Sequence, residues 1–504
     1  MKKKSFLFVL SVIALLFVLS ARVDAQQTRY KMTTDIPASI TTPDVVETSI
    51  GTLRFFDGFP DSATVQKVYN NLDFQRGVQA FLNSLSGAAL YGLRSGIRSF
   101  GPDNQTAIIT ESLTDSRGLV FVPNTETVYT CAWLNTKDGP LVIELPPNVL
   151  GFINDFWGRN VIDLGKAGPD SGRGGKYLLL PPGYTGTTPE GYYIVHSLTY
   201  GNFVFFRGFA LGGNPQQAVE ESKAYFRAYA LSGIANKPAM NFVNIAGQYW
   251  NTIPATDISY FEQIAQIVAE EPIDAIDPET RGLLGAIGIR KDQPFAPDAR
   301  MKAILADATA VGNATARTLR FSTRDQDAYY YPNSAWKMLF VGGDPGFSPD
   351  GVLLLDSRAA FFYCGWGITP AMARKMVGMG SQYAIAEHDA AGQYLDGGNT
   401  YRLHLPPDIP AKDFWSVIIY DPQTRSLLQT DQEFPSINSQ KADLMVNPDG
   451  SVDIIFGPEP PSGKKVNWLQ TIPGKGWFVW IRLYGPLEPW FDKSWRPGEI
   501  ELVR

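Results

Sequence analysis

VPNTETVYTCAWLN, residues 122–135, is the stretch from which the rest of the chain is read. From Thr127 onward it has the β-branched and aromatic composition of a strand, and strand side chains alternate between two faces. Thr127, Tyr129, Cys131 and Trp133 then share one face, and Glu126, Val128, Thr130, Ala132 and Leu134 share the other. The first face can bury its aromatics. Pro123-Asn124 turns the chain just before it, which leaves Asn124 and Glu126 at the strand's entrance, where sandwich loops collect ligand groups. The alternative, that Asn124 and Thr125 only satisfy turn backbone groups, stays open beside it.

Runs of the same kind surround this one. GLVFV, PLVIELP, KYLLLPPGY, YYIVHSLTY and NFVFFRGFAL are short and punctuated by Gly and Pro, a rhythm that predicts a sandwich or barrel and not a parallel sheet. Before them, residues 61–98 repeat apolar positions at three and four, as helices do. After Pro215 the helical period returns in QQAVEESKAYFRAYAL, ISYFEQIAQIVAEE, TRGLLGAIGI and DARMKAILADATAVGNATARTLR, the last behind an Asp298 cap. A second strand region follows, with TYRLHL, FWSVIIYD, RSLLQT, DLMVN, SVDIIFGP and GWFVWIRLY separated by turn signals. The expected organisation is a signal peptide over 1–25, an extended arm over 26–60, helices plus a β-sandwich over 61–214, a helical module over 215–324 and a C-terminal β domain over 325–504.

The opening MKKKSFLFVLSVIALLFVLSARVDAQQ has three lysines, an apolar run and small residues at Val23 and Ala25, the pattern of a cleaved leader. It predicts a periplasmic or secreted protein with no membrane insertion once the leader is removed. The formal charge is −6. Removing a leader that carries Lys2, Lys3, Lys4 and Arg22 against Asp24 makes the remainder more acidic, which argues against nucleic acid as a partner. Cys131 and Cys364 lie in apolar, aromatic surroundings that suit two buried free thiols, with one disulfide as the alternative.

The C-terminal segments GSQYAIAEHDAAGQYLDGGNTYRLHLPPDIPAKDFWSVIIYDPQTRSLLQT, VNPDGSVDIIFGP, NWLQT and RLYGP resemble the family called domain of unknown function 1214. PNTETVY, AWLN, GPLVIELP, GGKYLLLPPGY and FFRGF resemble its usual N-terminal companion, domain of unknown function 1254. The resemblance implies a mainly β fold with α: an N-terminal immunoglobulin-like β-sandwich, a helical middle module and a C-terminal jelly-roll β-sandwich. It implies no activity. Where the N-terminal motif usually carries Asp, this chain has Glu126, whose extra methylene displaces the carboxylate by more than about an ångström, enough to alter catalytic geometry.

Several chemistries leave no trace. There is no G-x-S-x-G elbow, no H-E-x-x-H, no P-loop and no G-x-G-x-x-G between a strand and a helix. The three histidines, His196, His388 and His404, are far apart, and neither a metal nor a cofactor is expected. Glu387-His388-Asp389 offers a metal or acid–base pair, with a solvated turn as the favoured reading. The glycine-rich GKAGPDSGRGGKYLLLPPGY reads as a mobile loop or lid. The strongest signals are Arg207 and Arg482, each a charge inside a strand of aromatic and aliphatic residues, where a buried guanidinium must find partners. Arg482 shares a face with Trp480 and Tyr484, a setting that suits carboxylate or sugar-acid recognition. An ion pair with Asp421 or Asp453 is the equal alternative, and for Arg207 a structural role is favoured.

The expected site joins Glu126, Tyr129 and Arg482 as catalytic groups with Asn124, Thr127, Trp133, Arg207, Trp415, Tyr420 and Tyr484 as substrate contacts. The function that follows is an exported enzyme, a hydrolase or lyase, acting on a small or carbohydrate-like substrate between the two β domains. A non-catalytic glycan or ligand-binding protein of the bacterial envelope is the alternative, and a homo-oligomer is left open.

Overall fold

The computed structural model describes residues 30–210, 213–462 and 467–503. The leader expected over residues 1–25 lies outside the described residues. Among the described residues no helix is long and apolar enough to cross a membrane. The chain is mixed α/β, with several open sheets and helices packed on them, and no sheet closes into a barrel among the described residues.

One compact unit ends at Asn71 and a second begins at Leu72. In the first, the stretch expected to be an extended arm forms a three-stranded antiparallel sheet of Val45–Thr48, Gly51–Phe56 and Phe59–Pro60. Its tight turn is Asp57-Gly58, with φ of +46° and +86°. Positive φ at both central residues matches the right-handed twist of a two-residue hairpin, and Asp-Gly is the pair that adopts it most readily.

In the second unit a six-stranded sheet runs in the order Asn241–Asn244, Thr106–Ile109, Thr127–Asn135, Gly201–Phe209, Leu150–Asp155, Asn160–Gly165. A four-stranded sheet orders Tyr193–His196, Gly175–Leu180, Leu141–Leu145, Arg227–Ala230. Arg227–Ala230 and Asn241–Asn244 come from sequence expected to be helical. The helix Gln216–Tyr225 stops at Phe226, which turns to extended backbone and is fully buried among strand residues, so burial of that ring overrides the helical period. The helix Ala299–Phe321 does begin where expected, with the Asp298 carboxylate accepting the Met301 N–H at 2.7 Å. Toward the C-terminus, one sheet orders Ser381–Ala386, Phe478–Pro486, Ala411–Tyr420, Ser436–Asn438, and another orders Asn467–Gln470, Val452–Gly457, Tyr401–Leu405, Ile500–Leu502.

Alternation decides what each strand face buries. Ala132, Leu134, Val204 and Phe206 share an apolar cluster with Leu141, Ile143, Tyr177 and Leu179 of the four-stranded sheet. Val417, Ile419, Val479 and Ile481 share another with Leu403, Ile454 and Phe456. The opposite faces of these same strands meet in a third core. Tyr129, Cys131, Trp133, Phe203 and Phe205 lie there with Ile418, Tyr420, Phe478 and Trp480, under side chains from the helices Leu85–Arg98, Ser259–Glu270 and Leu355–Phe362. Cys131 and Cys364 are both free and buried in this core.

The strand Gly201–Phe209 is held at its start by a carboxylate. Glu271 accepts the N–H groups of Tyr200 at 2.6 Å and Gly201 at 2.9 Å. Burial pushes this carboxyl up to about 7 from its ordinary 4.5, against the two backbone donors that favour its charge. A raised folded-state value means the fold prefers the protonated acid. The stabilisation is therefore complete below about pH 4.5 and is lost as pH rises through about 7, an effect on the order of 3 kcal/mol. Glu271→Gln is expected to flatten that part of the stability profile between pH 4 and 8. An unchanged slope in the variant would remove Glu271 as its source.

Candidate binding site

Two guanidinium groups face one cavity from opposite halves of the second unit. Arg207 follows Phe203 and Phe205 on its strand and sits directly across from Tyr129 in the register. Arg482 follows Trp480 and sits across from Tyr383. The cavity between them has a volume of about 60 Å³ and is walled by aromatic rings, among them Phe121, Phe152, Trp366 and Trp480. That space suits a few water molecules or the head of a small ligand.

The arginines are 4 % and 3 % exposed. Neither forms an ion pair among the described residues. The two acids considered for Arg482 are engaged elsewhere: Asp421 pairs with Lys475, and Asp453 binds Arg402 at 2.9 Å and His404 at 2.8 Å. Arg482 instead donates to the Val122 carbonyl, to Tyr420 Oη at 2.9 and 3.1 Å, and to the Pro123 carbonyl at 3.5 Å. It lies 4.7 Å from the Trp480 ring centroid. Arg207 has much less. It lies 5.4 Å from the Tyr484 ring centroid, and among the described residues its one polar contact is Met372 Sδ at 4.0 Å and its Nε has no partner. The indole N–H of Trp480, on the same wall, has none either. A buried guanidinium without an acceptor costs free energy that an incoming anion would recover.

Tyr129 completes a set of donors. Its hydroxyl accepts the Asn124 N–H at 2.9 Å, which leaves its own proton to give. Burial raises this phenol far above its ordinary value, Tyr484 adds to the rise, and the two arginines pull it back only in part, so it stays protonated. Tyr420 is raised in the same way by burial, and donates to the Pro123 carbonyl at 2.8 Å. No carboxylate is among the cavity-lining residues. Chemically, this lining offers positive charge and hydrogen-bond donors to a negative group.

The turn before Thr127 is built from both halves of the unit. Val122 has a φ of +36°, rare and strained for a β-branched residue. Its N–H donates to the Arg425 carbonyl at 2.9 Å while its carbonyl accepts Arg482. GLVFV, expected as a strand, is therefore a loop that delivers Phe121 and Val122 to the cavity. Asn124 closes the turn. Its carbonyl oxygen accepts Thr127 Oγ1 at 2.9 Å, and its amide donates to Tyr484 Oη at 2.5 Å.

The remaining expected residues divide. Glu126 is buried beside this turn but is not part of the lining; its carboxylate accepts Ser436 Oγ at 2.5 Å and Thr125 Oγ1 at 2.6 Å. Trp133 lies farther along Tyr129's face, edge-on to Phe156. Trp415 packs in the core between the two C-terminal sheets, on the face opposite Tyr420. Trp366, Met372 and Tyr383 line the cavity without having been expected. For Trp366 and Met372 the sequence signal was the pair Gly365 and Gly367 in FFYCGWGITPAMAR; a Cβ on Gly367 would sit 2.4 Å from the Phe152 ring. Of the other motifs, Asp389 caps its turn by accepting the N–H groups of Ala391 and Gln393, both at 2.9 Å, and Glu387 pairs with Lys337. The glycine-rich loop is pinned by fully buried Asp170, which accepts from Gly165 N–H at 2.8 Å and from Tyr177.

Residues 104–230 match the family described as Protein of unknown function (DUF1254), and residues 380–488 match Protein of unknown function (DUF1214). The chain thus matches both family models, one in each half. Tyr129 and Arg207 belong to the DUF1254 region and Arg482 to the DUF1214 region, while Trp366 and Met372 come from the sequence between them. No curated protein matches the chain. Among solved structures it is similar to the VPA0106 protein from Vibrio parahaemolyticus, with 17 % identity and a TM-score of 0.54, over 86 % of this chain and all of that one. It is also similar to an uncharacterised protein from Burkholderia cenocepacia, with 13 % identity and a TM-score of 0.37, over 88 % of this chain and 97 % of that one. The first likeness is one of fold.

Proposed function

We propose that the protein binds a small organic anion, a carboxylate, in the cavity between Arg207 and Arg482. The observation that carries this reading is that two buried guanidinium groups from different halves line one cavity, with no acid paired to either among the described residues. The carboxylate takes the Arg207 guanidinium and the Tyr129 hydroxyl. The aromatic wall holds the apolar part of the ligand. In this reading the chain is exported by its N-terminal leader and acts outside the cytoplasm. Its paired sheets serve as sandwiches, immunoglobulin-like in the N-terminal half and jelly-roll in the C-terminal half, that bring the two arginines together.

Titration calorimetry with formate, acetate and propionate against the corresponding amides tests it. The carboxylates are expected to bind and the isosteric amides to bind at least tenfold more weakly. Equal binding of acid and amide, or none of either at millimolar ligand, would overturn the reading.

A second reading makes the same cavity the substrate site of a hydrolase or lyase for small or carbohydrate-like substrates. It is favoured by Glu126, a buried acid next to the turn that touches Tyr129. Glu126→Gln should then lower kcat on an ester, glycan and uronate panel by at least about a hundredfold, the usual scale for a general acid or base. Unchanged turnover takes Glu126 out of the chemistry.

A further inference from the structure

A separate cavity of about 530 Å³ has the size of a ligand pocket and opens beside Trp157 and Arg358. Its walls combine rings and cations. Trp157, Phe347 and Phe362 give an aromatic surface, and Arg159, Arg358 and Arg374 stand around it. Asp277 is the one carboxylate in the lining, and it is occupied in capping a helix by accepting the Thr280 N–H at 2.9 Å. Arg159 is neutralised by Asp155 at 2.6 Å. The other two are not matched so well. Arg374 approaches Asp344 only at 3.9 Å, and the side chain of partly buried Arg358 makes no hydrogen bond among the described residues, feeling Asp277 only through space.

Trp157 is 8 % exposed, and its indole N–H is buried against protein with no partner among the described residues. An aromatic wall next to two under-neutralised guanidinium groups is what a ring carrying a doubly charged head would complete. Planar guanidinium forks match phosphate oxygens in pairs, and two of them balance the charge of a monoester dianion.

We infer that this cavity is a binding site for a phosphate monoester that carries a flat ring, with Arg358 and Arg374 on the phosphate and Trp157 and Phe362 against the ring. It shares no lining residue with the Arg207–Arg482 cavity and does not depend on the function proposed for that one.

Calorimetry on the full chain with phenyl phosphate, phenol and inorganic phosphate tests the inference. Phenyl phosphate is expected to bind saturably, and phenol and inorganic phosphate each at least tenfold more weakly. Arg358→Gln should weaken phenyl phosphate at least tenfold. Trp157→Ala, which removes the ring that the ligand packs against, should weaken it at least about threefold, the worth of an aromatic contact. Arg207→Gln should leave it unchanged. If Arg358→Gln does not fold, Arg374→Gln, whose side chain is 61 % exposed, takes its place with the same expected loss. No saturable binding to the wild type overturns the inference. So does equal binding of phenol, full retention in the arginine variant, or loss on Arg207→Gln.

Discussion

Arg482→Met is expected to lower folding stability by about 3 kcal/mol, because the side chain is the donor that satisfies a strained turn. Removing it leaves the Val122 and Pro123 carbonyls and the Tyr420 hydroxyl without their cationic partner in a buried wall. It also frees Val122 from the contact that holds its φ at +36°. Guanidinium-chloride unfolding measures this directly. A loss below about 1 kcal/mol would mean the turn is held without Arg482, by Asn124 and the Arg425 carbonyl.

Arg207→Met should have the opposite sign. This guanidinium is as buried as the other, yet it makes a single weak polar contact and its Nε is unpaired. Replacing it with an apolar chain removes a desolvated charge and keeps the packing against Phe205 and Met372, so the ligand-free protein should gain about 1 kcal/mol or more. The variant should also lose the stabilisation a carboxylate confers on the wild type, about 2.7 kcal/mol at a hundredfold excess over Kd. Denaturation with and without acetate separates the two effects. A variant that is less stable without ligand by more than about 1 kcal/mol would make Arg207 a structural group and leave the cavity without its anion-binding member.

The contrast between the arginines marks how far the sequence could be read. That Arg207 and Arg482 lie on aromatic strand faces follows from a period of two, a local property that needs only neighbouring residues. The same rule, applied strictly to FWSVIIY, separates Trp415 from Tyr420, since they are five residues apart and point to opposite faces; only Tyr420 reaches the site. Trp133 is on Tyr129's face, but four residues of strand carry it about 13 Å away. What could not be read depends on distant partners. Tyr383 becomes a wall residue because its strand pairs in register with Arg482, and Gly367 is required by Phe152, more than two hundred residues earlier. GLVFV has the composition of a strand, and only the carbonyl of Arg425 and the guanidinium of Arg482 show why it is not one. The hairpin at Asp57-Gly58 is a different kind of miss, because its signal was local and the arm was read without it.

The Val122–Asn124 turn has an evolutionary corollary. Both backbone polar groups of Val122 and the side-chain amide of Asn124 are bonded to residues of the C-terminal half, at Arg425, Arg482 and Tyr484. The N-terminal sheet therefore cannot complete its own loop. A chimera that joined this N-terminal region to an unrelated C-terminal module would inherit a frayed loop and an open hollow, so recombination between lineages has to move the two regions together. Such a dependence would keep the DUF1254 and DUF1214 regions in one polypeptide.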